Sequence, residues 1–300
     1  MRLGMLARAE PAELDKIQRL GLRSFEWARF DDSPCGTRNT DWRSAADQIG
    51  SEATRRGLRI SAIAAYYRNP LDPRQTEQAK RVLDRAIEVA AHLKIRTIGT
   101  FVGSVIETTF DERSGSQIQA PAEKSIPAAA EFWRPLAERA ANAGVRIAFE
   151  HCPQGPWHLP ASHWNIAGQP ALWEAIFAAI GMDNVGIEWD AAHLICQMID
   201  PLENLREFGS RVFHVHAKDA WINEPLLRRY GICHPGVAEH RFPGLGQTNW
   251  AQIVHELIRA KYDSDLNIEG WHDPVYRDQL EETGLLIAKQ TLEPLIAGTE

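Results

Sequence analysis

The chain has 300 residues, enough for one large α/β barrel or two ordinary domains. Hydrophobic residues make up 44% and charged residues 24%, the balance of a soluble globular protein with a sizeable core. A formal net charge of −7 without a long basic run argues against nucleic acid as the main partner, and no apolar run of about 18 residues is present to span a membrane.

The predicted elements alternate between short apolar strands and amphipathic helices. "RLGMLA" reads as a strand, and "PAELDKIQRLG" as a helix, with Leu14, Ile17 and Leu20 at helical spacing and Gly21 as its stop. "SFEWARF" is the second strand, followed by the helix "DWRSAADQIGSEATRRG"; "LRISAIAAYY" is the third, followed by "DPRQTEQAKRVLDRAIEVAAHL". "TIGTFVGS" leads through a polar loop to "AEKSIPAAAEFWRPLAERAANAG", where Pro127 and Pro135 predict a break or kink. The second half continues with the strands "VRIAFEH", "VGIEWDAA", "VFHVHAKD" and "LNIEGWHD", each ahead of a helical stretch, the last being "DQLEETGLLIAKQTLEPLIAG".

Eight strand-helix units over residues 1–300 predict one domain, a closed (β/α)8 TIM barrel, with a doubly wound open sheet as the alternative. The long non-periodic segments 104–122, 153–168 and 220–248 all follow strands, which places them on the face where such barrels carry their sites. Cys35, Cys152, Cys196 and Cys233 form no C-x-x-C pair, a reduced-thiol pattern that points to the cytosol. The start "MRLGMLARAEPAELDK" turns acidic too soon for a secretory signal.

Several strands end on a charged residue, although burying an isolated carboxylate is expensive unless it is paired or holds a metal. Alternate strand residues face a barrel's interior, so Glu150, Asp190, His216 and Glu269 from units five to eight converge on one rim. A strand-end Asp or Glu is also a common helix N-cap, but four consecutive units ending this way are hard to obtain from capping alone. Two Glu, one Asp and one His form an oxygen-rich set suited to Mn²⁺, Mg²⁺ or Co²⁺ rather than structural zinc. The same parity places Glu188 and Arg146 inward, one layer deeper, where each needs a partner; Lys218 or Arg146 are the expected partners for Glu188. Trp157, Trp164, Trp189, Trp221 and Trp271 lie at or past strand ends, where their rings could pack in the core or stack on a sugar.

With "EWDAAH", "HVHAKD", "HRFPGLGQTNW" and "IEGWHDP" in this order, the chain resembles the sugar phosphate isomerase/epimerase family of xylose-isomerase-like TIM barrels over nearly its whole length. The resemblance implies one divalent ion, Mn²⁺ before Mg²⁺ or Co²⁺, on Glu150, Asp190, His216 and Glu269. It further implies that Glu150 and Glu269 act as the acid/base pair and that His193, Lys218 and Arg241 contact substrate. Trp271, from its place past a strand end, is the candidate for stacking on the substrate. Arg241 would be aimed over the ion by the turns of "PGLGQTNW". The implied reaction is isomerisation or epimerisation next to a carbonyl through an enediolate, in the cytoplasm, on a small sugar or cyclitol; a homo-oligomer is compatible with the sequence.

"EHCPQGPWH" lacks the further acidic residue that ketose 3-epimerases carry after the first ligand, which argues against a free hexulose. The P-G-x-G segment and "IEGWHDP" resemble more the branch acting on oxidised sugars, inositols or glycosides. A lyase on the same scaffold, either a keto-inositol-type dehydratase or a carbon-glycoside cleaving enzyme, is the main alternative. An AP endonuclease would need extra histidines that the second, third and fourth strands lack, and a non-catalytic sugar-binding barrel would not need the quartet.

Overall fold

The computed structural model describes residues 1–66, 69–111, 116–119, 122–154 and 164–299. Eight parallel strands close into a barrel: β1 (Leu3–Ala7), β2 (Ser24–Trp27), β3 (Arg59–Ala64), β4 (Thr97–Thr100), β5 (Arg146–Glu150), β6 (Val185–Asp190), β7 (Val212–Ala217) and β8 (Leu266–Ile268). They follow one another around the ring in chain order, and β1 closes it against β8 through Leu3↔Leu266 and Met5↔Ile268. The open-sheet alternative is therefore excluded.

The strands are apolar because both faces are covered, one by helices and the other by the barrel's filled interior. β6 and β7 are buried along their whole length, so their inward Glu188, Asp190, His214 and His216 carry polar chemistry into the core. Helices wrap the outside with one apolar stripe each. Thr76–Leu93, for example, buries Ala79, Val82, Leu83, Ala86 and Ala90 and ends at Lys94 in the left-handed region.

The expected break at Pro127 and Pro135 does not occur, since both lie inside one helix, Ala122–Asn142. Burial of Phe132, Trp133, Leu136 and Ala140 on one side of that helix holds it together against the local cost of proline.

Two segments read as non-periodic contain short antiparallel hairpins. One pairs Ile106–Asp111 with Ser116–Gln119 and lies within 104–122. The other pairs Asp219–Ile222 with Ala238–Arg241, with the helix Glu224–Tyr230 between them. Ala238–Arg241, "AEHR", is only half-buried and has no apolar alternation, so nothing in its pattern marked it as a strand.

Side-chain size tunes the interior at one glycine. A Cβ on Gly99 of β4 would stand 2.5 Å from a carboxylate oxygen of Glu188, so only glycine leaves that carboxylate room across the barrel.

Candidate metal centre

The strand ends of β5 to β8 bring Glu150, Asp190, His216 and Glu269 together, each offering a ligand atom within 4.8 Å of the others. All four are buried. His216 Nδ1 lies 3.2 Å from Glu150 Oε1 and 3.1 Å from Glu269 Oε2. Among the described residues, Asp190 Oδ2 and Glu269 Oε2 are buried without a well-aligned hydrogen-bond donor. Buried carboxylate oxygens in that condition, converging with an imidazole nitrogen, fit a divalent cation.

Asp190 serves two roles at once. Its Oδ1 caps the short helix Ala191–Ile195 by accepting from the Ala192 amide at 2.7 Å, which leaves Oδ2 turned to the site. One turn along that helix, His193 places Nε2 3.2 Å from Asp190 Oδ2 and 3.3 Å from Glu150 Oε1. His151, which sequence parity gave no reason to select, steadies β6 by accepting the Asp190 amide on Nε2 at 2.9 Å. Burial pushes His151 down to about 3, keeping it a neutral acceptor.

Charge sets the protonation of the pair of glutamates. Burial alone would raise Glu150, but hydrogen bonds and charge from His193 and His216 outweigh it and hold the carboxyl at about 2. Burial acts the same way on Glu269, and the Lys218 ammonium, 2.7 Å from Oε1, then His216, bring it well below the usual carboxylate range. His193 is held well above its ordinary value: burial opposes this, but Asp190 outweighs it. Lys218 is fully buried, and its link to Glu269 replaces the pairing with Glu188 expected from parity.

Glu188 instead meets His214 Nδ1 at 2.7 Å and accepts a hydrogen bond from the Tyr66 hydroxyl. A register shift between Ile187 and Glu188 sets Glu188 opposite His214 and Asp190 opposite His216, so Lys218 lies too high to reach it. Arg146 is lower still, at the bottom rim of the barrel. It bonds Asp263 at 3.1 Å and lies over the Phe213 ring rather than pairing with Glu188.

A cleft of about 1210 Å³ opens above the quartet, with Cys152, His193, His240, Trp271 and His272 in its wall. Trp271 is 61% exposed at the mouth. Arg241 does not reach the quartet: its guanidinium bonds Glu239 and lies 5.8 Å from the Trp221 ring centroid. The residue before it faces the cleft instead. His240 packs against His193 and His272, with ring centroids 5.5 and 5.7 Å apart, and its buried Nδ1 has no hydrogen-bond partner among the described residues. Burial, with Lys218 and His193 nearby, keeps that imidazole neutral.

Of the tryptophans, Trp189 is fully buried in the core, Trp164 meets Phe101 edge-on at 6.3 Å, and Trp157 lies outside the described residues. So do parts of the segments 104–122 and 153–168.

Residues 14–292 match the model of the xylose isomerase-like TIM barrel family. The chain belongs to that family. It is 25% identical over 299 residues to an inosose dehydratase of Clostridium perfringens, covering 88% of this chain and 93% of that one. The IolI protein with a binding zinc atom superposes with a TM-score of 0.71 at 16% identity, covering 99% and 98% of the two chains. The 3-keto-D-glucoside 4-epimerase YcjR of E. coli does so at 0.67 and 14%, covering 98% of each chain. No helix among the described residues is long and apolar enough to cross a membrane.

Proposed function

We propose that this protein is a divalent-metal-dependent isomerase or epimerase that moves a proton next to the carbonyl of a keto-sugar, oxidised glycoside or keto-inositol. The observation that carries the reading is the pair Glu150 and Glu269, two buried carboxylates approaching His216 Nδ1 from β5 and β8, with Asp190 beside them. A divalent ion held by Glu150, Asp190, His216 and Glu269 supplies Lewis-acid stabilisation of the negative charge that develops on the substrate oxygens.

The chain's own groups do the rest. In the metal-free protein Lys218 and His216 favour the ionised form of Glu269, and His193 and His216 that of Glu150, and an ionised carboxylate can accept a carbon-bound proton. In an epimerisation the carboxylate on the other face, having taken a proton from solvent, delivers it to the same carbon, while the first keeps the proton it removed. In an isomerisation the first carboxylate returns its proton to the neighbouring carbon. His193 and Lys218 are placed to donate hydrogen bonds to substrate oxygens. His240 offers a neutral imidazole nitrogen from the opposite wall, and Trp271 flanks the entrance. Manganese is the expected ion, because three oxygens and a single imidazole favour a harder cation than structural zinc.

The likeness to an inosose dehydratase over 88% of the chain favours a second reading. There a carboxylate removes the proton, and that group, now protonated, passes it to a β-hydroxyl, which leaves as water. Incubation in D₂O with Mn²⁺ and a panel of keto-sugars, 3-keto-glycosides and keto-inositols separates the two. Deuterium incorporation without loss of mass supports the isomerase or epimerase, and loss of water supports the dehydratase. No exchange on any member of the panel would refute proton transfer next to a carbonyl.

A further inference from the structure

Beneath the quartet lies a second set of titratable groups that the proton transfer does not use. Glu26 of β2, Glu188 of β6 and His214 of β7 are fully buried, and they meet the underside of His216. Glu26 Oε2 lies 2.6 Å from His216 Nε2, against 3.5 Å for Glu188 Oε1. Glu188 is engaged elsewhere, accepting from His214 Nδ1 at 2.7 Å and from the Tyr66 hydroxyl. A chain of donors fixes His214 in turn: Asn267 Nδ2 donates to Ser61 Oγ at 2.6 Å, and Ser61 lies 3.3 Å from His214 Nε2.

On the reading that the quartet holds a divalent ion, we propose that Glu26 is the positioning residue for that ion's only imidazole ligand. A glutamate oxygen 2.6 Å from Nε2 is at hydrogen-bond distance, the position from which a carboxylate commonly accepts the second ring N–H of a metal-ligating histidine. The proton therefore belongs on the His216 nitrogen facing Glu26. That leaves Nδ1, which lies between Glu150 and Glu269, as the nitrogen free to give its lone pair. A ring turned over in this pocket would present the wrong nitrogen, and the short contact to Glu26 opposes the turn. Glu188, His214 and Tyr66 support the arrangement by occupying the space and hydrogen bonds around Glu26. They do not form a second ion site, because each already has a partner within the network. Partners beyond the ligands commonly change metal affinity by 10–100-fold.

Three measurements test this. In the metal-free protein with ¹⁵N-labelled histidine, His216 Nε2 should show a ring N–H protected from exchange, and Glu26→Leu should abolish it. Competition with a chelating dye should show Mn²⁺ held about 10–100-fold more weakly by Glu26→Leu. Glu26→Gln, whose amide oxygen can still accept from Nε2–H, should stay within about threefold of wild type. Metal analysis should give one ion per chain. The proposal is overturned if the wild-type N–H is unprotected, if Glu26→Leu binds Mn²⁺ as wild type does, or if Glu26→Gln loses as much as Glu26→Leu. Two ions per chain would also overturn it, making the lower cluster a site in its own right. Should wild type take up no Mn²⁺, the quartet reading fails, while the metal-free N–H signal still decides whether Glu26 holds the ring.

Discussion

His240 and Arg241 adjoin in the chain and have opposite surroundings. His240 is in the cleft wall beside His193, whereas Arg241 pairs with Glu239 against Trp221. The segment was legible as a neighbour of the cleft, but which of its side chains faces the cleft was not, because in a strand a slip of one residue exchanges the two faces. Without the hairpin in view, no pattern in "AEHR" could fix that parity. We expect His240→Ala to lower kcat/KM by roughly 10- to 1000-fold, about 1.4–4 kcal/mol, and Arg241→Ala to change it by less than about threefold; steady-state kinetics on the true substrate decides. The reverse ranking would return the role to Arg241. The cysteines divide as sharply. Burial pushes the Cys35 thiol up to about 11 and the Cys196 thiol up to about 12, so near neutral pH the reactive thiolate is scarce in both, and it gains population only as pH rises toward those values. Alkylation followed by mass spectrometry at pH 7.5 should modify exposed Cys233 and leave Cys35 and Cys196 intact in the folded protein. Rapid labelling of either buried thiol would contradict their environment.

At the level of elements, the motifs "HVHAKD" and "PGLGQTNW" prove to be two halves of one construction. Asp219 ends the first, and the second wraps around its carboxylate. Oδ1 accepts from the Thr248 amide at 3.0 Å and its hydroxyl at 2.6 Å, and Oδ2 accepts from Trp250 Nε1 at 3.2 Å and the Gly244 amide at 3.3 Å. A Cβ on Gly246 would stand 2.2 Å from Oδ1, which explains the glycine there. Asp273 clasps the same loop from the far side by accepting the Phe242 amide at 3.1 Å. The spacing of these residues was visible in the sequence as a motif, but its purpose was not, since a list of residue types does not say which carboxylate receives which donors. Asp219→Asn should cost about 1–3 kcal/mol in urea unfolding, because either orientation of the amide sets an N–H₂ group against existing donors. Unchanged stability would mean that the loop relaxes freely around position 219.

For the whole molecule, alternation of strands and helices announced the barrel, and strand-end parity announced the four acidic and imidazole positions, because both follow from short-range periodicity. The support beneath them was not legible. Glu26 and Tyr66 come from the first three units and meet His216 only because the sheet closes on itself. Five carboxylates, Glu26, Glu150, Glu188, Asp190 and Glu269, gather there around Lys218 and the histidines His193, His214 and His216. Loading with Mn²⁺ at about a hundred times its dissociation constant should therefore stabilise the fold by about 2.7 kcal/mol and raise Tm by several degrees, a gain that chelation removes. A Tm insensitive to both treatments would show that no ion binds the folded state preferentially. Closure has a kinetic side as well. The quartet comes from four consecutive strands, β5 to β8, whereas sealing the ring requires Leu3 to find Leu266 across almost the entire chain. Such distant pairing is slow relative to local assembly. During refolding, the late half of the chain can gather its ligands while His216 still lacks Glu26. Tight ion binding would then appear only when the seam between β1 and β8 is made, and its onset would time the last topological event of folding.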